Sequence, residues 1–403
     1  MDTNTLFAAA LQLTRPWKVV ESQFEKEDGK LKIRLDFDQG SRFPCPQCGC
    51  KCGVHDTTQK RWRHLNFWQY ETELSARMPR IDCPKDGVLL VEAPWARAGS
   101  GFTLMMEALI MLLCQQMPVS DVAEMIGEHD TRLWRVVAHY VEVAQRERSW
   151  KEVERILVDE TSARRGHRYV TNIVDADTHE LLLMVEGRSS EALDKFAEAL
   201  KEHEGAPEQI GWIGMDMSPA YIKGAAQNFP KAKVVFDRFH VMQLAGEAVD
   251  HVRKDLQRQG AELKGHRWAI LGNEWTRSEE QQMARRQLCN LYPKLGRAIG
   301  LRDMLQDVLE NGNEADLKWW RARAGRSRLE PFKKLARTIR EHWDGVVAYF
   351  ESGITSAAIE AVNGCIQLAK RLARGFRNFN YFRWMAYLKA GGLHLNLPSL
   401  LAT

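Results

Sequence analysis

Two short apolar runs, each ending in an aspartate, constrain this chain more than any other feature. Arg155-Ile156-Leu157-Val158 leads into Asp159, and Ile210-Gly211-Trp212-Ile213-Gly214-Met215 leads into Asp216. Each reads as a buried strand that delivers a carboxylate to its C-terminal end. Where helices cross over a sheet, active sites gather at the C-terminal ends of strands. The surroundings fit such a sheet. Arg168–Val174 and Leu181–Val185 read as strands, a helical pattern runs from Ser190 to about His203, and Ser218-Pro219 opens another helix before the strand Lys233–Phe236. The order β-β-β-α-β-α-β predicts a mixed sheet with helices, an α/β (α+β mixed) fold.

A third carboxylate follows much later. Between about 241 and 350 the pattern is helical and rich in tryptophan (Trp268, Trp275, Trp319, Trp320, Trp343), which reads as an insertion rather than a linker. Thr355 or Ser356 then caps a helix that carries Glu360, with Asn363, Gln367 and Lys370 or Arg371 on the same face. Three carboxylates suit two hard divalent cations, Mg²⁺ or Mn²⁺, which hold oxygen ligands and support an in-line displacement at a phosphodiester. In that reading Asp159 bridges the ions, Asp216 serves one, and Glu360 serves the other and the attacking water. Beyond the helix, Arg374-Gly375-Phe376-Arg377-Asn378-Phe379 interleaves bases and rings without an acid. Lys370, Arg371, Arg374 and Arg377 therefore become candidate phosphate contacts beside aromatic stacking surfaces; a packed aromatic helix with a solvated basic side is the alternative.

The N-terminal third is organised differently. Trp17–Val20 and Leu31–Phe37 flank Asp28-Gly29, a hairpin signal. Of the chain's eight cysteines, Cys45, Cys48, Cys50, Cys52 and Cys83 crowd into one early segment, as metal-binding thiols do in a reducing compartment. The knuckle Cys45-Pro46-Gln47-Cys48-Gly49 suits tetrahedral Zn²⁺, one ion held by Cys45, Cys48 and Cys83. Cys83-Pro84-Lys85-Asp86-Gly87 repeats the outline with Asp86 at the last ligand position, so the fourth ligand is Asp86, Cys50, Cys52 or His55. A module of this size is expected to lack a large core and to lean on the metal. Between the knuckles, Arg61 and Arg63 share a strand face opposite Trp62 and His64, either for phosphate contact or as a solvated face. His64 is expected to satisfy a local hydrogen bond.

From Thr103 the period is helical: Thr103–Gln115, then Pro118–Gly127, then a longer helix from Asp130 to about Val143, the outline of a helix-turn-helix. Arg132 and Arg135 lie near the start of its third helix. The composition of the 403 residues, 44% hydrophobic and 27% charged with net charge +4, is that of an ordinary globular protein. No apolar run suits a bilayer and no basic start precedes an apolar core, so the expected setting is the cytoplasm, with no membrane partner.

Taken together, the early knuckle, the helix-turn-helix, Val158-Asp159-Glu160, Met215-Asp216-Met217-Ser218, Asp237-Arg238-Phe239-His240 and Glu360-Ala361-Val362-Asn363 with Arg374–Phe379 make the chain resemble the ISL3 family of DDE insertion-sequence transposases. The resemblance covers nearly the whole chain. It implies a ribonuclease H-like catalytic domain with a large helical insertion, the triad Asp159, Asp216 and Glu360, and accessory roles for Asp237, His240 and Asn363. The expected division is 1–97 (β and zinc-binding), 98–150 (helix-turn-helix) and 151–403 (catalytic). The expected partner is DNA, both terminal inverted repeats and target, bound by a homodimer or larger assembly. The competing readings are a non-catalytic DNA-binding regulator and a nuclease of similar fold that cuts without joining.

Overall fold

A computed structural model describes residues 2–164, 168–272 and 277–400, so Trp275 lies outside the described residues. The chain forms two compact units, Met1–Ala144 with His394–Thr403, and Gln145–Leu393.

In the first unit a short helix, α1 (Thr3–Ala10), precedes β1 (Trp17–Glu25), β2 (Lys30–Phe37), β3 (Arg42–Pro44), β4 (Lys51–Phe67), β5 (Tyr70–Cys83) and β6 (Gly87–Leu90). The hairpin β1–β2 turns at Gly29, whose φ of +62° is the left-handed conformation that glycine tolerates. The sheet runs β1-β2-β5-β4-β3, with β6 paired to β5; β2 and β5 are parallel and the other pairs antiparallel. Period-two burial makes one face of this sheet a core. Leu31, Ile33 and Leu35 on β2 meet Leu74, Ala76 and Met78 on β5, all essentially solvent-free. The expectation of a module without a large core is therefore corrected: the two long strands β4 and β5, with β2, supply apolar positions that the cysteine segment by itself does not reveal.

The helix-turn-helix follows as α2 (Leu104–Cys114), α3 (Val119–Ile126) and α4 (Asp130–Glu147). Gly127 closes α3 with φ +71°. Glu107, wholly buried on α2, receives Arg97 at 2.8 Å, the Ser100 hydroxyl at 2.6 Å and the Tyr140 hydroxyl of α4 at 3.0 Å. This satisfied buried carboxylate ties the first and third helices together.

The second unit is built on β7 (Arg155–Arg164), β8 (Arg168–Asp175), β9 (Leu181–Glu186), α5 (Glu191–Glu202), β10 (Trp212–Met215), α6 (Pro219–Asn228) and β11 (Lys233–Phe236). Its sheet order is β11-β10-β7-β8-β9. The strands β7, β8 and β9 form an antiparallel meander, and β10 and β11 add in parallel beside β7. Three antiparallel strands joined by two parallel ones make the mixed sheet expected from the alternation of elements. One detail differs. β7 does not stop at Asp159; it continues to Arg164 because β8 pairs with it all along, whereas β10 pairs only with Arg155–Leu157. Asp159 thus sits mid-strand, at the point where the parallel side of the sheet ends. Gly214 on β10 is required by close packing here: a Cβ would lie 2.5 Å from Leu157 Cδ2 and 3.0 Å from Ile354 Cγ2.

Helices α7 (Arg238–Arg258), α8 (Arg267–Leu271), α9 (Glu279–Leu291), α10 (Pro293–Asn311), α11 (Glu314–Gly325), α12 (Glu330–Glu341) and α13 (Trp343–Ser352) fill the insertion. Helices α10 and α12 pack on α7, and α11 packs on both α10 and α12. Trp320 is fully buried, its indole N–H donating to the Leu301 carbonyl at 2.8 Å, while Trp268 and Trp319 are exposed. At the far end α13 packs on β11, with Gly345 against the Phe236 ring. Then α14 (Ala357–Leu372) packs on β7 and β8, and α15 (Phe379–Ala390) on α14 and β9.

His64 carries a pH consequence. Thr103 Oγ1 accepts from the Met106 N–H at 3.3 Å and leaves its own proton for His64 Nδ1, 2.8 Å away. Burial, aided by the Arg63 charge, holds His64 down at about 4. The folded state therefore keeps His64 neutral while the unfolded chain protonates it. Its contribution is complete above the unfolded value near 6.5 and is lost as pH falls towards 4, up to about 3 kcal/mol. Denaturant titration read by hydrogen exchange of the β4 and β5 amides should show this loss between pH 6.5 and 4, and His64→Gln should flatten it.

Candidate active site and metal centre

The extended strand β7 and its short parallel neighbour β10 carry Asp159 and Asp216 each two residues beyond their last mutually paired positions, Leu157 and Gly214. Asp216 follows β10 directly, and its Oδ1 accepts the Ser218 N–H at 2.9 Å, which sets the turn into α6. Both aspartates line a cavity of about 310 Å³ together with Asp237, His240 and Glu360. Asp237 is the residue before α7, Glu360 lies in the first turn of α14, and Ile359 and Val362 beside it are buried. Glu360 itself is exposed and accepts from the Ser356 hydroxyl. The fold thus brings the three carboxylates picked out from the sequence to one cavity across the insertion, together with the accessory candidates Asp237 and His240.

Electrostatics at this cavity favour a cation. Burial pushes the Asp159 carboxyl up to about 6, against the pull of the Glu160 backbone N–H and the His240 charge, with Asp216 adding to the rise. Glu160 is also raised by burial, with Arg188 opposing at 3.7 Å. Asp237 is buried, and its Oδ2 has no hydrogen-bond partner. An uncompensated buried carboxylate oxygen costs free energy unless something positive reaches it. The four carboxylates offer oxygen donors, the set a hard divalent ion takes.

A chain of side-chain amides locks the geometry. Asn363 Nδ2 donates to Asp159 Oδ2 at 2.8 Å, and Asn172 Nδ2 donates to Asn363 Oδ1 at 2.6 Å. Asn172 stands opposite Asp159 in the β7–β8 register and is fully buried, its own Oδ1 without a partner. Sequence reading passed over Asn172. Its one signal is a polar amide inside the otherwise apolar run Val170–Val174. Farther along α14, Gln367 Nε2 donates to Thr161 Oγ1 at 2.7 Å and to the Ser162 carbonyl at 2.8 Å.

In the first unit the ligand atoms of Cys45, Cys48, Cys83 and Asp86 all lie within 4.8 Å of one another. Asp86 Oδ2 is 3.2 Å from Cys45 Sγ and 3.3 Å from Cys83 Sγ, and the Cys48 and Cys83 sulfurs are 3.5 Å apart. Both knuckles turn on glycines at positive φ, Gly49 at +74° and Gly87 at +72°. The geometry selects Asp86 among the candidate fourth ligands. Cys50 is exposed, Cys52 is buried in the sheet core with its sulfur on the Cys50 carbonyl, and His55 lies outside the cluster. Among the described residues no other group of three or more such ligands is drawn so tightly.

Comparison with known proteins bears on both sites. Residues 156–386 match the ISL3-type DDE family described as Transposase, more than half of the chain. The chain belongs to the ISL3 family of DDE transposases. Residues 91–141 match the helix-turn-helix domain of the same family, and residues 41–86 match the zinc-finger of transposases IS204/IS1001/IS1096/IS1165. The transposase for insertion sequence element IS1557 of Mycobacterium tuberculosis is 28% identical over 437 aligned residues, covering 99% of this chain and 98% of the relative. The transposase for IS1001 of Bordetella parapertussis is 28% identical over 354 residues, 84% of this chain and 86% of the relative. The mixed sheet, helical insertion, helix-turn-helix and zinc ribbon read from the sequence are those of this family.

The transposase distributes its expected DNA-contacting cations unevenly. Arg61, Arg135, Arg371, Arg374 and Arg377 are exposed. Arg63 is not: its side chain is only 9% exposed, 3.9 Å from Glu128, and it donates to the His64 carbonyl and Asn66. The reason is that residues 101–103 lie along β4 at Arg63 and cover that face. Arg132 is likewise held internally, by Glu128, the Gly101 carbonyl and the Phe102 ring. Lys370 donates its ammonium to the Ser162 carbonyl. No helix among the described residues is long and apolar enough to cross a membrane.

Removing the Asn363 amide should strand two buried partners at once. Asn363→Ala is expected to lower the stability of the metal-free catalytic unit by about 1–3 kcal/mol, measured by denaturant unfolding. Asn363→Asp should be worse, because it sets a second carboxylate against Asp159.

Proposed function

We propose that this transposase binds the terminal inverted repeats of its insertion sequence and catalyses divalent-metal-dependent DNA strand cleavage and strand transfer with Asp159, Asp216 and Glu360 as its catalytic carboxylates. The observation that carries this reading is the single cavity lined by all three, with the buried, unpartnered Asp237 oxygen beside them. Two ions, Mg²⁺ or Mn²⁺, held there would stabilise the attacking and leaving oxygens of an in-line displacement. Asn363 holds one oxygen of Asp159, which fixes the carboxylate where it lines the cavity. Glu360, on the rim, is placed to accept a proton from the attacking water once Ser356 releases it. Asp237 and His240 line the same cavity as accessory groups. The freed 3′-hydroxyl then needs no nucleophilic side chain to join a target strand.

Zn²⁺, one ion on Cys45, Cys48, Cys83 and Asp86, suits the thiolate-rich set in the zinc ribbon. Arg61 and Arg135 in the first unit, and Arg371, Arg374 and Arg377 in the second, are the cations proposed to meet phosphates. Joining two element ends to one target calls for at least two protomers on DNA.

Replacing Asp159, Asp216 or Glu360 singly by Ala should reduce Mg²⁺-dependent nicking of terminal-repeat DNA by roughly a thousandfold or more while sparing binding in a shift assay, since the carboxylates act in the transition state. A Glu360→Ala enzyme that still cuts overturns the assignment, and cleavage without joined product would leave only a nuclease.

For the ribbon, metal analysis should find about one Zn²⁺ per chain. Cys45→Ser with Cys48→Ser should abolish it and Asp86→Ala should make it more easily removed by a chelator, whereas Cys50→Ser should change neither.

A further inference from the structure

A second cavity, of about 480 Å³, opens farther along the β7–β8 hairpin, where it meets the turn between α14 and α15. Its volume is that of a small-ligand pocket. Three guanidinium groups, Arg164, Arg168 and Arg377, line it with one carboxylate, Glu186. Phe376 and Phe379, both half-buried, form the aromatic part of the wall with Tyr169 and Phe382. The two sides are bracketed: Arg164 donates to the Phe376 carbonyl at 2.7 Å and to that of Arg377, and Phe376 stacks on buried Phe382 with ring centroids 5.4 Å apart. The turn itself reverses through two consecutive left-handed residues, Arg374 and Gly375.

We infer that this pocket receives an unpaired nucleobase, with its flanking phosphates on the arginines. Aromatic side chains recognise the face of a base, and in a duplex the faces are hidden between neighbours, so a recessed aromatic wall serves a base outside the stack. Glu186 offers an acceptor that can take an exocyclic amino group, and arginines at the mouth suit the backbone. The inference rests on the DNA-processing reading above. It also sets a position. Arg164 is five residues beyond Asp159 on one strand, roughly 16 Å at strand rise, which corresponds to about five stacked base steps from the scissile phosphate.

The test uses the full-length, zinc-loaded Asp159→Ala protein without added Mg²⁺, so that binding is read without cleavage. Two duplexes of the same sequence are compared at fixed salt, one blunt and one ending in a six-nucleotide single strand, long enough to leave the fifth base unpaired. The overhang should bind about fivefold tighter or more. Phe379→Ala and, separately, Arg168→Ala, an exposed position, should bring that ratio close to one, and Phe379→Trp should restore it. A starting ratio near one, or a preference that survives both losses, overturns the pocket. Cleavage of blunt DNA by the otherwise unaltered enzyme is assayed separately with Mg²⁺. Absence of that cleavage sinks the catalytic reading, and its presence without overhang preference sinks only this one.

Discussion

The contact on which the catalytic unit depends is the amide of Asn363 against the carboxylate of Asp159 at 2.8 Å. Those residues are separated by the whole helical insertion, and the conformational cost of bringing them together must be met by packing on both sides. It is met in layers. Ile359, Val362 and Ile366 bury one face of α14, Asn172 caps the amide from β8, and Gln367 fastens the next turn to β7. Because α14 is held in this register, Glu360, one turn before Asn363, lines the same cavity as the strand aspartates. The same register leaves Glu360 exposed at the cavity rim, while Asp159 sits desolvated at its floor. The two carboxylates therefore meet different environments, which is how one site sustains groups with different tasks.

Much of this was legible in the sequence, and the reason is periodicity. Apolar runs ending in Asp159 and Asp216 marked neighbouring strands, and Ser218-Pro219 marked the helix between sheet strands. What periodicity reports is which residues share a face; it does not report what covers the face. Arg61 and Arg63 alternate correctly with Trp62, yet residues 101–103 zip along β4 and turn Arg63 into an internal anchor. Asp159 was expected at a strand end, but the antiparallel partner carries β7 five residues further. Asn172 left only the trace of one amide in an apolar strand, since its importance comes from α14, far away in the chain.

The zinc ribbon shows a similar division. Two glycine-closed knuckles were visible as repeats of one outline, and the structure's contribution was to choose among ligands that spacing left open. The choice has a chemical side. A carboxylate in place of the fourth thiolate keeps the negative charge of the set and makes one of its four ligands hard. The ribbon also rests on a sheet core of its own, so its strands do not depend on the metal in the way a minimal finger does.

The insertion leaves the sheet at β11 through Asp237 and returns to it through α13, which packs on that same strand with Gly345 against Phe236. Departure and return are thus fastened to a single edge. Whatever lies between them can lengthen, shorten or be rebuilt at little cost, since closing a longer loop between fixed ends adds only about 0.6 kcal/mol per doubling. A helical bundle hung in this way is a module that evolution can exchange, like a fitting on a standard mount, without disturbing the edge that carries it.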